Sequence, residues 1–261
     1  YLYGMKIFPG LFISFIFTNI LVRILQQKNI NNPWILVITG LMTGFPNGAY
    51  ICSWYNKNNP ENRLGDMLAG IINIPSPAFL ISYVYINILE KCISLPMFAL
   101  TYTPVILCSY MAILLFRDKD NKKDNAPHIK NDKKLIFHFF EEAVDSSINT
   151  ALKLGAYVII FSVIVNIIMH FSQSNTAGLL ISYLFEISNG LAIIKNAGIP
   201  MNITVLLTVL LDAFGGVCII MQTKSICSSY ISIKKYIYQK LVLCIVTLAM
   251  TYLLIYVLNI L

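Results

Sequence analysis

A chain of 261 residues that is 57% hydrophobic and 12% charged, with a mean hydropathy of +0.71, does not read as a soluble domain. Soluble domains carry about twice that charged fraction. The formal net charge of +7 comes from Lys and Arg gathered between apolar stretches, where it orients membrane segments and draws anions to pore mouths rather than binding nucleic acid.

These properties predict an all-α, polytopic membrane protein whose surroundings are a lipid bilayer. Residue 1 is Tyr1, so the natural N-terminus is expected upstream, and no signal-peptide pattern is visible. Six cysteines (Cys52, Cys92, Cys108, Cys218, Cys227 and Cys244) have no CxxC spacing and sit mostly in apolar runs. They read as small buried hydrophobes, not disulfides or metal ligands.

In chain order, Ile7 to Leu25 is apolar and long enough to cross the hydrocarbon core, and Arg23 and Lys28 close it. A polar connector, Gln26 to Asn32, leads to Pro33, which suits the first turn of a helix. That helix breaks at Thr43-Gly44-Phe45-Pro46-Asn47-Gly48-Ala49-Tyr50, because proline removes a backbone donor and the glycines relax φ and ψ. Asn56 to Arg63 reads as a polar turn. Leu64 to Leu89 is interrupted at Asn73-Ile74-Pro75-Ser76-Pro77, as a discontinuous span or a re-entrant hairpin. Ser94 to Phe116 is a conventional span with a kink site at Pro104.

Arg117 to Lys134 is the longest polar stretch, with seven Lys or Arg against four Asp, and the positive-inside tendency places it in the cytoplasm. Leu135 to Asn149 reads as an amphipathic helix lying in the interface, with Phe139, Phe140, Ala143, Val144 and Ser147 on one face. It feeds a span at Ala151 to Phe171. Ala177 to Ile194 is short and interrupted at Glu186-Ile187-Ser188-Asn189-Gly190, which predicts a re-entrant hairpin. Ile203 to Gln222 carries a further break at Asp212-Ala213-Phe214-Gly215-Gly216-Val217. Thr223 to Gln239 is polar, and Leu241 to Leu261 is a final span.

The expected architecture is therefore about six spanning helices, plus broken helices and re-entrant hairpins, in two weakly related halves. Residues 1–116 form the first half, 117–134 the basic loop, and 135–261 the amphipathic helix and second half. The halves echo each other: Pro9-Gly10-Leu11-Phe12-Ile13-Ser14 is like Leu154-Gly155-Ala156-Tyr157-Val158, and the Gly44–Gly48 break is like the Phe214-Gly215-Gly216 break. Paired interrupted helices mark a solute pathway through a bilayer. The two breaks at 44–48 and 214–216 are expected to meet and enclose a hydrophilic chamber.

The Gly44-Phe45-Pro46-Asn47-Gly48-Ala49 break, the Ser76-Pro77-Ala78-Phe79 turn, Ala143-Val144-Asp145-Ser146-Ser147-Ile148-Asn149-Thr150, Leu184-Phe185-Glu186-Ile187-Ser188-Asn189-Gly190, and Phe214-Gly215-Gly216 with Gln222 after it carry a family resemblance. Together they resemble the YlbJ-type sporulation integral membrane proteins, which have the nucleoside-recognition, or Gate, domain shared with concentrative nucleoside transporters. The family has Gly-Tyr-Pro-x-Gly-Ala at the first break. The resemblance implies a bacterial integral membrane protein of the outer forespore or cell membrane that moves dipicolinic acid during sporulation. It also implies partners among copies of itself or other sporulation membrane proteins. The chain departs from the family in being short, and residues 26–33 stand where a first-half counterpart of the Glu186 hairpin belongs.

A pathway for a small anionic solute needs donors at mid-membrane, and half-helix N-termini provide them. Gly48, Ala49, Gly215 and Gly216 are the candidate backbone donors. Asn47, Asn73, Ser76, Ser188, Asn189 and Gln222 are the candidate neutral side chains. The competing account of these residues is tight helix packing. Glu186 and Asp212 are the acids set deepest in apolar sequence, for ion coupling or for structure. Glu186 either binds a proton or cation or accepts from backbone N–H groups; Asp212 either does the same or caps a half-helix. No cofactor or catalytic group is indicated: His128, His138 and His170 do not cluster, and Arg63-Leu64-Gly65-Asp66 only partly matches an intramembrane protease signature. The alternatives to carboxylate transport are a non-transporting Gate-like subunit and a nucleoside or other small-solute transporter.

Overall fold

The structure, a computed structural model, describes residues 12–13, 15–21, 24, 32–60, 63–90, 95–116, 133–172 and 176–257. Most of the first expected span, the connector before Asn32 and most of the basic loop Arg117–Lys134 lie outside the described residues. The described part is all helical, and five stretches are long and apolar enough to cross a membrane: Leu64–Ile88, Phe98–Leu115, Glu141–Phe171, Met201–Cys227 and Ile233–Ile255.

Among the described residues, eleven α-helices follow those at 12–24, which are also helical where described. In the first half these are α1 (Pro33–Thr43), α2 (Asn47–Asn58), α3 (Leu64–Ile72), α4 (Pro77–Phe79), which runs into a π-helical stretch (Leu80–Ile88), and α5 (Leu95–Phe116). The second half begins with α6 (Lys133–Phe171), α7 (Thr176–Phe185), α8 (Ile187–Asn196), α9 (Met201–Phe214) and α10 (Gly216–Cys227). After a 3₁₀ turn (Ser228–Tyr230), α11 (Ile233–Tyr252) ends in a second π-helical stretch (Leu253–Val257).

Local chemistry accounts for each interruption. Asn32 caps α1 by accepting from Trp34 N–H at 3.0 Å, with Pro33 in the first turn. Gly44 ends α1 with φ +73° and ψ −174°, a region only glycine occupies without strain. Asn73 to Ser76 leave the helical region because Pro75 and Pro77 deny it to the residues before them. Gly215 and Gly216 both have positive φ, +83° and +85°. The break between α7 and α8 is narrower than the expected 186–190. Only Glu186 leaves the helix, and Ile187 onward is already α8.

Glycines set the packing. A Cβ at Gly65 would collide with the Cys52 carbonyl, and one at Gly48 would lie 2.7 Å from the Ile72 carbonyl. The backbones of α2 and α3 are thus in direct antiparallel contact. Gly70 brings α3 against α11, where a Cβ would lie 2.6 Å from the Tyr236 carbonyl. Gly190 does the same between α7 and α8: a Cβ there would stand 2.6 Å from the Tyr183 carbonyl, so this pair folds back on itself. The first helix reaches the second half through Asn19 Nδ2, which donates to Ser147 Oγ at 3.0 Å. Ile159, Ile160, Val163 and Ile167 of α6, with Ile245 and Leu248 of α11, stay exposed, as lipid-facing side chains do.

Two expectations change. The amphipathic segment at 135–149 and the span after it are one continuous helix, α6. The last helix starts at Ile233, not Leu241, so Lys234, Lys235, Gln239 and Lys240 are helical. By element order, the Gly44 break matches the Glu186 break, and the Asn73 break matches the Gly215 break: from 33 and again from 176, a broken pair is followed by a second broken pair and an uninterrupted helix.

Candidate functional site

The first tip is where the start of α2 meets the end of α3. Asn47 opens α2 and is wholly buried. Gly44 lies against the Asn73–Pro77 break, where a Cβ would be 2.5 Å from Ser76 N. Ser76 caps α4 by accepting from Phe79 N–H at 3.3 Å. Gly48 N–H donates to the Gly44 carbonyl at 3.1 Å, and Ala49 N–H donates to Asn73 Oδ1 at 3.3 Å. Both N–H groups are therefore engaged within the fold.

Asn73 is the hub of this tip and is wholly buried. Its Nδ2 donates to Tyr236 Oη at 2.8 Å and to Thr223 Oγ1 at 3.3 Å. One side chain thus joins the N-terminus of α2 to α10 and α11.

The second tip is built around Glu186, which is 2% exposed. Its Oε2 accepts from Asn189 N–H at 2.8 Å and caps α8. Asn189 Nδ2 donates to Ser162 Oγ at 3.2 Å, and the Ser188 carbonyl accepts from Tyr83 Oη at 3.2 Å. Gly216 lies against the end of α7, where a Cβ would be 3.2 Å from the Leu184 carbonyl. Gly215 N–H is engaged by the Leu211 carbonyl at 2.7 Å. Gln222 is buried and donates to Cys218 Sγ in its own helix at 3.3 Å.

Because Gln can still accept from Asn189 N–H, Glu186→Gln should keep the thermal stability of the purified protein. Glu186→Ala should lose about 1 kcal/mol, the usual value of an N-cap. Equal unfolding temperatures for the two variants would contradict the capping role.

The breaks at 44–48 and 214–216 are expected to meet; each packs on the other break of its own half, Ala49 and Ala213 share one core cluster, and two features join the resulting tips. Lys240, on α11 and wholly buried, donates from Nζ to the Asn73 carbonyl and, at 2.9 Å, to the Ala213 carbonyl. It therefore holds the end of α3 and the end of α9 with one side chain, where helix dipoles favour a lysine. An aromatic run makes the second link: Phe45 to Phe79 at 6.0 Å, Phe79 to Tyr83 at 5.3 Å, then Tyr83 to the Ser188 carbonyl.

Asp212 does not cap α10. It sits inside α9, 1% exposed, and neither carboxylate oxygen has a hydrogen-bond partner.

The residues that sequence reasoning passed over lie on α11. Tyr236, Gln239, Lys240, Leu243, Thr247 and Thr251 form its buried stripe at helical spacing. Gln239 inserts its amide into α3, accepting from Gly70 N–H at 2.7 Å and donating to the Asp66 carbonyl at 2.8 Å. Asp66 accepts from Ser232 N–H at 2.7 Å and pairs with Lys235 at 2.8 Å. The signal for this face was the period of its polar residues, which a reading by hydropathy assigned to a loop.

No family model, no curated protein and no solved structure matches the chain.

Proposed function

We propose that the chain is a membrane transporter or permeation pathway for a small carboxylate, with the crossing point between the two tips. The observation that supports this most is Lys240. It places a buried nitrogen donor at two helix breaks, and two of its three N–H bonds hold backbone carbonyls. The third is the donor we assign to a passing carboxylate. Irregular backbone at membrane depth persists only where protein or a water-filled cavity covers it, and in transporters such breaks form the solute site.

In this reading the two halves are a structural repeat. The α1–α2 and α7–α8 pairs are re-entrant hairpins, and the crossing segments number about six. Residues 117–134 lie in the cytoplasm, so α6 leads outward, the second hairpin returns to its own side, and α9–α10 leads back in. Lys224, Lys234 and Lys235 then also face the cytoplasm. The solute implied by the resemblance is dipicolinic acid, crossing the outer forespore membrane, and the protein has no enzymatic role.

The second reading is a non-transporting Gate-like subunit. The tightness of the first tip favours it, since Asn47 and Asn73 are both 0% exposed. Reconstitution into vesicles with labelled dipicolinate separates the two. Transport predicts saturable uptake by the parent and loss in Asn47→Ala, with cysteines placed at positions 47 and 189 open to aqueous thiol reagents. A well-folded parent that takes up nothing, with both cysteines sealed, favours the subunit.

A further inference from the structure

We propose that Asp212 is the proton-binding carboxyl that couples solute movement to a proton gradient, an inference that rests on the transport reading above. Thr208 and Asp212 lie one turn apart on α9 and are both 1% exposed. Neither Asp212 oxygen has a partner, and Thr208 Oγ1 has none either. A carboxylate buried without donors costs several kcal/mol unless a bound proton or cation neutralises it. Every other buried acid in the described residues is satisfied: Glu186 by Asn189 N–H, and Asp66 by Ser232 N–H and Lys235. Asp212 is the exception, and a fold that satisfies the others so fully retains this one for use.

The surroundings suit a proton better than a metal ion. Tyr85 of the first π-helical stretch, Tyr102 of α5 and Tyr183 of α7 lie within electrostatic reach of Asp212. From α11, Cys244 Sγ approaches the Leu210 carbonyl at 3.9 Å. Lys240 is directed to the neighbouring Ala213 carbonyl rather than to the carboxylate. From α8 the packing is apolar, with Ile187, Leu191 and Ile194 in the same cluster as Val209 and Leu211. Tyr102 Oη and Tyr183 Oη are committed to the Pro75 and Leu207 carbonyls, so they do not offer the several fixed oxygens an ion would need, and a single proton suffices to neutralise the carboxylate.

The site also communicates with the first tip. Tyr102 Oη donates to the Pro75 carbonyl at 3.4 Å, and Ala213 is bound to the same Lys240 that holds Asn73. Protonation of Asp212 on one side of the membrane and release on the other moves one H⁺ per cycle, with no other bond made or broken.

The test has two arms on the purified chain. In vesicles with labelled dipicolinate, a gradient of about one pH unit should raise parent accumulation about tenfold per coupled proton. Asp212→Asn, which keeps the shape, should retain solute exchange and lose that accumulation. In infrared spectra of the same proteins without solute, a carboxylic-acid stretch that titrates in the parent should be absent from Asp212→Asn. Gradient-driven accumulation by Asp212→Asn equal to the parent overturns the proposal, as does a parent without the titrating band. A parent that shows the band and moves no solute leaves Asp212 as a proton site and removes the transport reading instead.

Discussion

Lys240→Met is expected to lower the unfolding temperature of the detergent-purified protein by about 5–10 °C and to abolish solute uptake. Methionine is chosen because it fills nearly the same volume, so the loss reports the nitrogen rather than a cavity. Two buried carbonyls, those of Asn73 and Ala213, lose a donor together. Each such orphan costs about 1–3 kcal/mol, and about 2–4 °C accompanies each kcal/mol in a chain of this size. Lys240→Gln separates the two consequences. Its amide donates to one carbonyl, so stability should return in part. Uptake should not return, because the N–H assigned to the solute is gone. If Lys240→Met is as stable and as active as the parent, the link between the tips carries neither structure nor function.

That residue also shows why half of the site was legible in the sequence and half was not. The breaks are written in local chemistry: Pro46, Pro75 and Pro77 remove donors, and Gly44, Gly215 and Gly216 adopt positive φ, so each could be placed to within a residue or two. Glu186 was also visible, as an acid in apolar sequence, although its role as a cap narrows the break to one residue.

Which break packs on which is a tertiary fact. Phe-Pro-Asn-Gly and Phe-Gly-Gly look alike because both are small-residue turns after an aromatic ring, and that likeness says nothing of which break each packs on. Lys240 was lost for a different reason. A lysine next to Leu241 reads as the end of a polar loop, whereas in the fold α11 runs back to Ile233 and turns Tyr236, Gln239 and Lys240 inward. Hydropathy marks where a span is apolar; it does not register a helix whose polar stripe faces protein.

The contact between the two breaks of the first half makes a second large effect predictable. Gly44→Ala should destabilise the protein well beyond the ordinary cost of a side chain at positive φ. Gly44 has φ +73° with ψ −174°, and an alanine there carries about 1–3 kcal/mol of backbone strain. Its Cβ would also lie 2.5 Å from Ser76 N and 2.9 Å from Ser76 Cα. Those are backbone atoms between Pro75 and Pro77, which cannot move aside as the end of a flexible side chain would, and overpacking of this kind adds about 1–3 kcal/mol. Two other glycines separate the terms. Gly198 has φ +63° with nothing within 4 Å of a Cβ, and Gly215 has φ +83° with its nearest neighbour, Ile219, at 3.4 Å. Gly198→Ala and Gly215→Ala should therefore show strain alone, and Gly44→Ala strain plus collision. Thermal unfolding of the three variants in one detergent should rank Gly44→Ala lowest by a clear margin. If it melts with Gly198→Ala, the α1–α2 turn can draw away from Ser76 at little cost, and that turn is a loose neighbour of the Asn73–Pro77 break rather than a joint with it.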